Sequence, residues 1–358
     1  MSKFSYILKN PGKWMVLAGP CSAETEAQVM ATARELAAGG LTDVFRAGVW
    51  KPRTQPDCFE GVGEKGLAWL AQVRDEFHLP VATEVANVRH VEAALRYGID
   101  ILWIGARTTT NTFAVQEIAD ALRGVDTAVL VKNPVAPDLA LWVGAVERLL
   151  KAGVPAVAAV HRGFSSYQKT PYRNQPLWQI PLSLTQRLPG IPLLCDPSHI
   201  GGKREYLPEL LQRAVDLRYD GWMIETHIRP NEAWSDAAQQ ITPQALTALL
   251  ATLVRRADTS SDVGFIDRLR QLRAELDCFD EQLIDMLAQR MKVSEAIGRQ
   301  KKRSGVAILQ PHRRNEMLQQ ALDKGAAAGF TVGFIEELFE LIHQESINRQ
   351  IHVMGDEK

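Results

Sequence analysis

Cys195-Asp196-Pro197-Ser198-His199-Ile200-Gly201-Gly202 is the segment from which the first two-thirds of the chain can be read. A short apolar run, residues 191–194, leads into it like the end of a buried strand. Pro197 and the glycine pair then stop the strand and let the backbone turn. His199 therefore lies just past a strand end, at a loop mouth, where binding residues are commonly carried. Working outward, the pattern repeats. Residues 14–18, 43–47, 80–83, 100–104, 127–131, 155–160 and 221–224 are similar runs, most of them rich in Val, Ile and Ala. They lack strict alternation, as expected for parallel strands covered on both faces. Amphipathic helical patterns such as 25–38, 61–77, 88–97 and 139–152 separate them. Eight strands, each followed by a helix, predict a (β/α)8 TIM barrel, an α/β fold. The rival, a doubly wound open sheet, usually has fewer strands.

The residues just after the eight runs read GPCS, RAGVWKPRT, TEV, GART, KNP, HRGF, DPSHIGG and ETH. A barrel gathers all of these on the face where active sites sit. Cys21, His199, Glu225 and, in the loop beyond, Asp236 form a mixed soft and hard donor set that suits a divalent transition metal. Taken singly, each has a plainer reading: Cys21 as a small buried hydrophobe, or Asp196 before Pro197 as a turn former. Six cations share the same face: Arg46, Lys51, Arg53, Arg107, Lys132 and Arg162. Any one of them would ordinarily be a solvated surface residue. Six on one rim repel one another unless anions neutralise them, and Arg forks and Lys point charges bind carboxylates and phosphates. The set implies one or two phosphorylated, carboxylate-bearing small molecules beside a metal.

The bulk properties narrow the classes. A length of 358 residues favours two domains. A net charge of −1 argues against nucleic acid or an anionic membrane as the main partner. Four irregularly spaced cysteines make neither a secreted disulfide framework nor a zinc finger. Residues 1–12 are too polar for a signal peptide, and no apolar run is long enough to span a bilayer. A reducing, cytoplasmic setting is expected, which leaves Cys21 free to bind metal.

GPCS, KPRT, IGAR, the lysine of KNP, HRGF, DPSHIGG and the Glu-x-His end of the last run together resemble the 3-deoxy-D-arabino-heptulosonate 7-phosphate (DAHP) synthase family. The match runs over residues 14–236 and is nearest to the short-chain, type I beta-like members without large regulatory insertions in the barrel. The resemblance implies condensation of phosphoenolpyruvate with erythrose 4-phosphate at the entrance to the shikimate pathway. It implies Cys21, His199, Glu225 and Asp236 as ligands of a divalent metal. Manganese is expected, and iron, cobalt or zinc also suit such mixed ligation. Arg107, Lys132 and Arg162 match the phosphoenolpyruvate-binding cations, with Arg46 and Lys51 near its carboxylate. Arg53 and Thr54 match the pair that holds the sugar phosphate, and Glu84 lies beside the reacting enol. Lys51, Glu84, Lys132 and His199 are thus the catalytic candidates. Thr226 stands where relatives often have Val. The nearest competitor is the related 3-deoxy-manno-octulosonate-8-phosphate synthase, whose sugar-binding motif usually carries Asn where Pro52 stands.

Beyond Arg256 the composition changes. Residues 257–264 read as a polar linker that can also cap a helix. Residues 265–303 predict one very long helix with no Gly or Pro before Gly298. Its apolar stripe includes Leu269, Leu276, Leu283, Leu287 and Ile297. Such a length suggests pairing with a partner chain. Arg273, Asp280, Arg290 and Lys301 fall on or beside the stripe. Long stems can simply snorkel out, but three cations on one face favour a buried dianion site. Two shorter helices follow at 311–326 and 332–350. The three resemble the all-helical chorismate mutase family, whose members form intertwined dimers. Arg273 (reaching into the partner's site), Arg290, Lys301, Arg313, Ser346 and Gln350 match its substrate-binding residues. Lys301 and Gln350 would donate hydrogen bonds to the ether oxygen of chorismate, so that catalysis is electrostatic, without a covalent step. Gln310 and Arg314 replace the family's Asp and Glu that contact the ring hydroxyl. Two readings follow for this part: a second enzyme making prephenate, or an allosteric prephenate- or chorismate-binding and dimerisation module. The expected whole is a bifunctional enzyme with a synthase barrel at 1–256 and a mutase domain at 265–358. It would form a homodimer through the helical domain and be feedback-controlled through it. A non-enzymatic sugar-phosphate sensor is the remaining alternative.

Overall fold

The computed structural model describes residues 13–51, 59–166, 170–257 and 260–355. The chain divides into two compact units, Met1–Arg256 and Ala257–Lys358. In the first, eight strands pair in sequence order, all parallel: β1 Met15–Gly19, β2 Val44–Arg46, β3 Val81–Val85, β4 Ile101–Ile104, β5 Ala128–Lys132, β6 Ala156–His161, β7 Leu193–Cys195 and β8 Gly221–Glu225. Strand β8 returns to β1, with Met15 opposite Gly221 and Gly19 opposite Glu225, and so closes the barrel. That pairing rules out the open sheet.

Alternation along each strand sorts the apolar residues into two cores. Met15, Leu17, Val44, Ala82, Ile101, Trp103, Ala128, Leu130, Ala156, Ala158, Val160, Leu194 and Met223 fill the barrel interior. Their chain neighbours Val16, Ala18, Phe45, Val129, Val131, Val157 and Ala159 pack outward against the helices. Both faces are apolar, which is why the runs do not alternate in hydrophobicity. The helices of this unit are α1 Glu26–Gly39, α2 Glu64–Phe77, α3 Val88–Arg96, α4 Ala106–Thr109, α5 Thr112–Ala121, α6 Leu139–Lys151, α7 Gln179–Arg187, α8 Pro197–Gly201, α9 Leu207–Asp216 and α10 Pro243–Ala251. Thr25, Asn87, Asn111 and Asp138 cap α1, α3, α5 and α6 by accepting from the amide three residues on. Gly19 is required where β1 meets β2. Its φ is +150°, and a Cβ there would stand 2.1 Å from the Arg46 carbonyl oxygen.

The second unit is three helices: α11 Val263–Ser304, α12 Pro311–Ala327 and α13 Val332–Gly355. Asp262 caps α11 by accepting from the Phe265 amide, so the last two residues of the expected linker, Val263 and Gly264, already belong to the first turn. Asp258 and Thr259 of that linker lie outside the described residues. The last helix runs five residues beyond the expected end at Gln350, to Gly355. Gly298, the second glycine of the long helix, marks a close crossing. A Cβ at that position would meet Val353 Cγ2 at 2.7 Å and Gln350 Cγ at 3.1 Å. Among the described residues, no helix is long and apolar enough to cross a membrane.

Candidate active sites

The same alternation builds the site of the barrel. Val44, Ala82, Leu130, Val160, Leu194 and Met223 belong to the interior layers. The next inward positions, two residues on, are Arg46, Glu84, Lys132, Arg162, Asp196 and Glu225. Six strands thus each add one ionisable group above the apolar core. Trp103 floors this charged layer. Arg46 and Lys132 lie over its ring at 4.7 and 5.8 Å, and its indole donates to Glu84 at 3.0 Å. Gly105 is needed beside it, because a Cβ there would fall 2.1 Å from Glu84 Oε1.

Ligand atoms of Cys21, Glu225 and Asp236 lie within 4.8 Å of one another, a group that could hold a metal ion. His199 stands at the edge of this group, its Nε2 3.5 Å from Glu225 Oε1. Closure of β8 on β1 brings residues 21, 225 and 236 together, and the turn after β7 carries His199 beside Glu225. The turn at His199 differs from the open loop expected. Residues 197–201 form one helical turn, capped by Asp196 through the His199 amide. Asp196 also binds His199 Nδ1 and takes the Lys132 ammonium at 2.7 Å. Its plain reading as a turn former was half of its role. Burial opposes its charge, yet His199 and Lys132 hold the carboxyl well below the usual carboxylate range.

Each candidate ligand has its own polar partners. Lys51 Nζ lies 3.0 Å from Cys21 Sγ and donates to the Cys21 carbonyl at 2.8 Å. Burial would lower the Lys51 pKa, but the neighbouring Cys21 and Glu225 charges raise it above its ordinary value. Burial, then Glu225, push the Cys21 thiol up to about 12. Glu225 accepts from Gln239 Nε2 at 2.6 Å and lies 3.5 Å from Arg46 Nη1. Asp236 accepts from Cys21 Sγ at 3.2 Å and from Arg173 Nη1 at 2.8 Å. Burial works against the Asp236 charge too, but His199 and Arg173 hold its carboxyl well below the usual range. A set of sulfur, nitrogen and carboxylate donors fits a divalent transition ion.

Beside this group lies a cavity of about 400 Å³, lined among others by Lys51, Glu84, Arg107, Lys132, Arg162, His199 and Asp236. Burial draws the Arg162 guanidinium down to about 10, which leaves it charged at neutral pH. It donates to Asn174 Oδ1 at 2.7 Å. Arg46 is placed differently from the sequence expectation: it is not among the lining residues but lies buried, tied to Glu225 and to the Cys21 carbonyl. Arg53 and Thr54 lie outside the described residues. Arg173, Asn174 and Gln239 were missed by sequence reasoning. Arg173 and Asn174 sit in an irregular segment and Gln239 in a single 3-10 turn, none of them at a strand end, so only a fold could have pointed to them. Asp196 was legible, as the inward position after Leu194.

In the helical unit, Arg290 of α11 donates to Ser346 Oγ of α13 and contacts Met317 Sδ of α12 at 3.5 Å. Ser346 and Gln350 are buried. Lys301 donates to the Ile308 carbonyl. Arg273 and Arg313 do not join this cluster: Arg273 is exposed on α11, and Arg313 reaches Glu316 at 3.3 Å on its own helix. Arg314 turns to Glu340 at 3.3 Å.

Comparisons with known proteins agree with this division. Residues 7–260 match the DAHP synthetase I family, and residues 272–351 match chorismate mutase type II. A phospho-2-dehydro-3-deoxyheptonate aldolase of Thermotoga maritima is 29% identical over 247 residues, covering 69% of this chain and 71% of that protein. A 2-dehydro-3-deoxyphosphooctonate aldolase of Nitratidesulfovibrio vulgaris is 32% identical over 260 residues, 66% of this chain and 90% of that protein. The crystal structure of the Thermotoga maritima DAHP synthase superposes with a TM-score of 0.60 at 28% identity, over 68% of this chain and 70% of that one. With a closed parallel barrel, a charged mouth and three helices following in sequence, the chain belongs to the DAHP synthetase I family and carries a type II chorismate mutase domain C-terminal to the barrel.

Proposed function

We propose that the barrel condenses phosphoenolpyruvate with erythrose 4-phosphate at a divalent-metal centre held by Cys21, His199, Glu225 and Asp236, with manganese as the expected ion. One observation carries this reading: three of those side chains converge within 4.8 Å beside a cation-lined cavity. The bound ion would supply Lewis-acid polarisation of the aldehyde substrate. The protein's own groups do the rest. Arg107, Lys132 and Arg162 hold the enol phosphate, and Lys51 lies near its carboxylate. Arg53 and Thr54 take the sugar phosphate. With their charges offset, two anions can be held in contact, which the free reactants resist. Asp196 fixes the Lys132 ammonium, and Trp103 fixes the Glu84 carboxylate beside the enol. Arg46 acts from below, orienting Glu225 rather than touching substrate.

The likeness to 2-dehydro-3-deoxyphosphooctonate aldolases makes the sugar the open choice of substrate, and Pro52 of the KPRT motif favours the four-carbon sugar. In the second unit, the Arg290–Ser346 pair beside Lys301 and Gln350 supports rearrangement of chorismate to prephenate. The exposed apolar face of α11 supports a homodimer. Leu276, Phe279, Leu283, Ile284 and Met286 are 59–66% exposed, and only Met291, Ser294 and Gly298 of this 42-residue helix are buried. A single chain leaves that face in water, and a second copy would cover it and bring Arg273 to the neighbouring site. One chain that carries the first committed step and a branch-point step is suited to feedback: prephenate or chorismate bound to the helical unit would alter the barrel. The setting is taken to be the cytoplasm.

Five measurements test these readings. Chelation should abolish loss of phosphoenolpyruvate with erythrose 4-phosphate, and C21S should weaken metal binding in calorimetry by about tenfold or more. Activity that persists after chelation, or a preference for arabinose 5-phosphate, counts against the synthase assignment. R290A should abolish chorismate consumption, and a fully active variant would contradict the mutase site. Sedimentation should give a dimer at micromolar concentration, and a monomer there refutes the covered-face argument. Finally, saturating prephenate should lower the synthase rate, and an unchanged rate rules out feedback by this route.

A further inference from the structure

Helix α13 carries a third polar residue on the face that holds Ser346 and Gln350. His343 precedes Ser346 by three positions and Gln350 by seven, the spacing of one helical stripe. The His343 side chain is half-buried, and its Nε2 is buried with no hydrogen-bond partner among the described residues. Gln350 Oε1, two turns further on, is in the same condition. Buried polar atoms in folded proteins nearly always have partners, and an orphan in a binding site points to a ligand that supplies one.

The charges around the ring narrow what that ligand group is. Arg290 and Lys301 of α11 and Arg314 of α12 all lie close enough to influence His343, and Glu340 of its own helix is engaged by Arg314 at 3.3 Å. Burial first, then these three cations, hold the imidazole below its ordinary pKa, so the ring is neutral at pH 7. A dicarboxylate in this site is held by the guanidinium and ammonium groups. A neutral ring nitrogen instead offers a lone pair, and chorismate has one neutral donor to give it, the ring hydroxyl. The positions from which acidic side chains would accept that proton are filled here by Gln310 and Arg314. A guanidinium has no acceptor, and Gln310 makes no capping bond at the start of α12.

We propose that His343 is a further substrate-binding residue of the helical site, its imidazole accepting the hydrogen bond of the substrate's ring hydroxyl while the cations take the two carboxylates. This rests on the mutase reading above and deepens it. His343 stands in for the missing carboxylates. The site then keeps an acceptor for the hydroxyl although Gln310 and Arg314 stand at the start of the second helix.

The test is steady-state mutase kinetics of the full chain from pH 5 to 8, with H343L, H343Q and R290A beside the unaltered protein. H343L should raise the chorismate KM by about tenfold, the worth of one hydrogen bond, with kcat changed less. H343Q, which keeps an acceptor, should recover most of that loss. In the unaltered protein KM should rise as the ring takes up a proton on the acid side, and H343Q should remove this rise. An unchanged KM in H343L overturns the proposal. So does equal damage in H343L and H343Q with the acid-side rise intact, which marks a packing role. If H343L fails to fold by circular dichroism, the pH profile of H343Q decides alone. A fully active R290A would instead remove the mutase assignment, whereas an inactive R290A with an unaffected H343L removes only the role of His343.

Discussion

Buried charge at the mouth of the barrel is the constraint on which the rest of this site depends. Arg46 and Glu225 are 1% and 0% exposed, and Lys132 and Asp196 are 6% and 0%. Removing one partner of such a pair strands an ion in a medium that solvates it poorly, typically at a cost of about 3–5 kcal/mol. The groups therefore stand in alternating sequence: Lys132 on Asp196, Asp196 on His199, His199 on Glu225, Glu225 on Arg46. Each link sets the direction of the next. The candidate metal donors are consequently held by the same network that holds the cations facing the cavity, and neither half can be moved alone.

That network is possible because the barrel interior ends in a flat aromatic floor. Small residues at Ala82, Ala128, Ala156 and Ala158 make room inside for Trp103, whose ring meets Arg46 and Lys132 and whose indole fixes Glu84. The closed sheet brings residues more than 200 positions apart, Cys21 and Asp236, to within a hydrogen bond. The helical unit solves a similar problem differently. Its polar groups come from the faces of long helices at three- and four-residue steps. It sets Arg290 and Lys301 on neutral partners, the Ser346 hydroxyl and the Ile308 carbonyl, and not against buried carboxylates. A site that leaves its cations so lightly compensated is suited to a dianion. The barrel, with four acidic groups of its own, is suited to a metal together with anionic substrates.

Much of this was written along the chain in readable form. The number of apolar runs, the glycines and prolines that end them, and the motifs that follow them identify a parallel barrel and the rim on which its chemistry lies. This holds because strand ends are local: a buried strand needs a short apolar run, and the next inward residue is always two positions on. Arg46, Glu84, Lys132, Arg162, Asp196 and Glu225 all follow from that rule. The three-helix pattern and the cations Arg290 and Lys301 are equally local, since helical spacing places them without reference to the rest of the fold.

What only tertiary structure decided is the pairing. Arg46 could not be told from a cavity residue until β8 closed on β1 and set Glu225 against it. Arg173, Asn174 and Gln239 sit in loops and a single 3-10 turn with no periodicity to mark them, and they reach the site through chain closure. His343 reads as one more polar residue of an amphipathic helix until the fold sets cations of α11 and α12 near it and leaves its Nε2 buried without a hydrogen-bond partner among the described residues. Alternation and helical spacing are properties of a few consecutive residues, so the sequence alone determines them. Charge compensation and the satisfaction of buried polar atoms depend on groups tens to hundreds of residues away, so they exist only once the chain has folded.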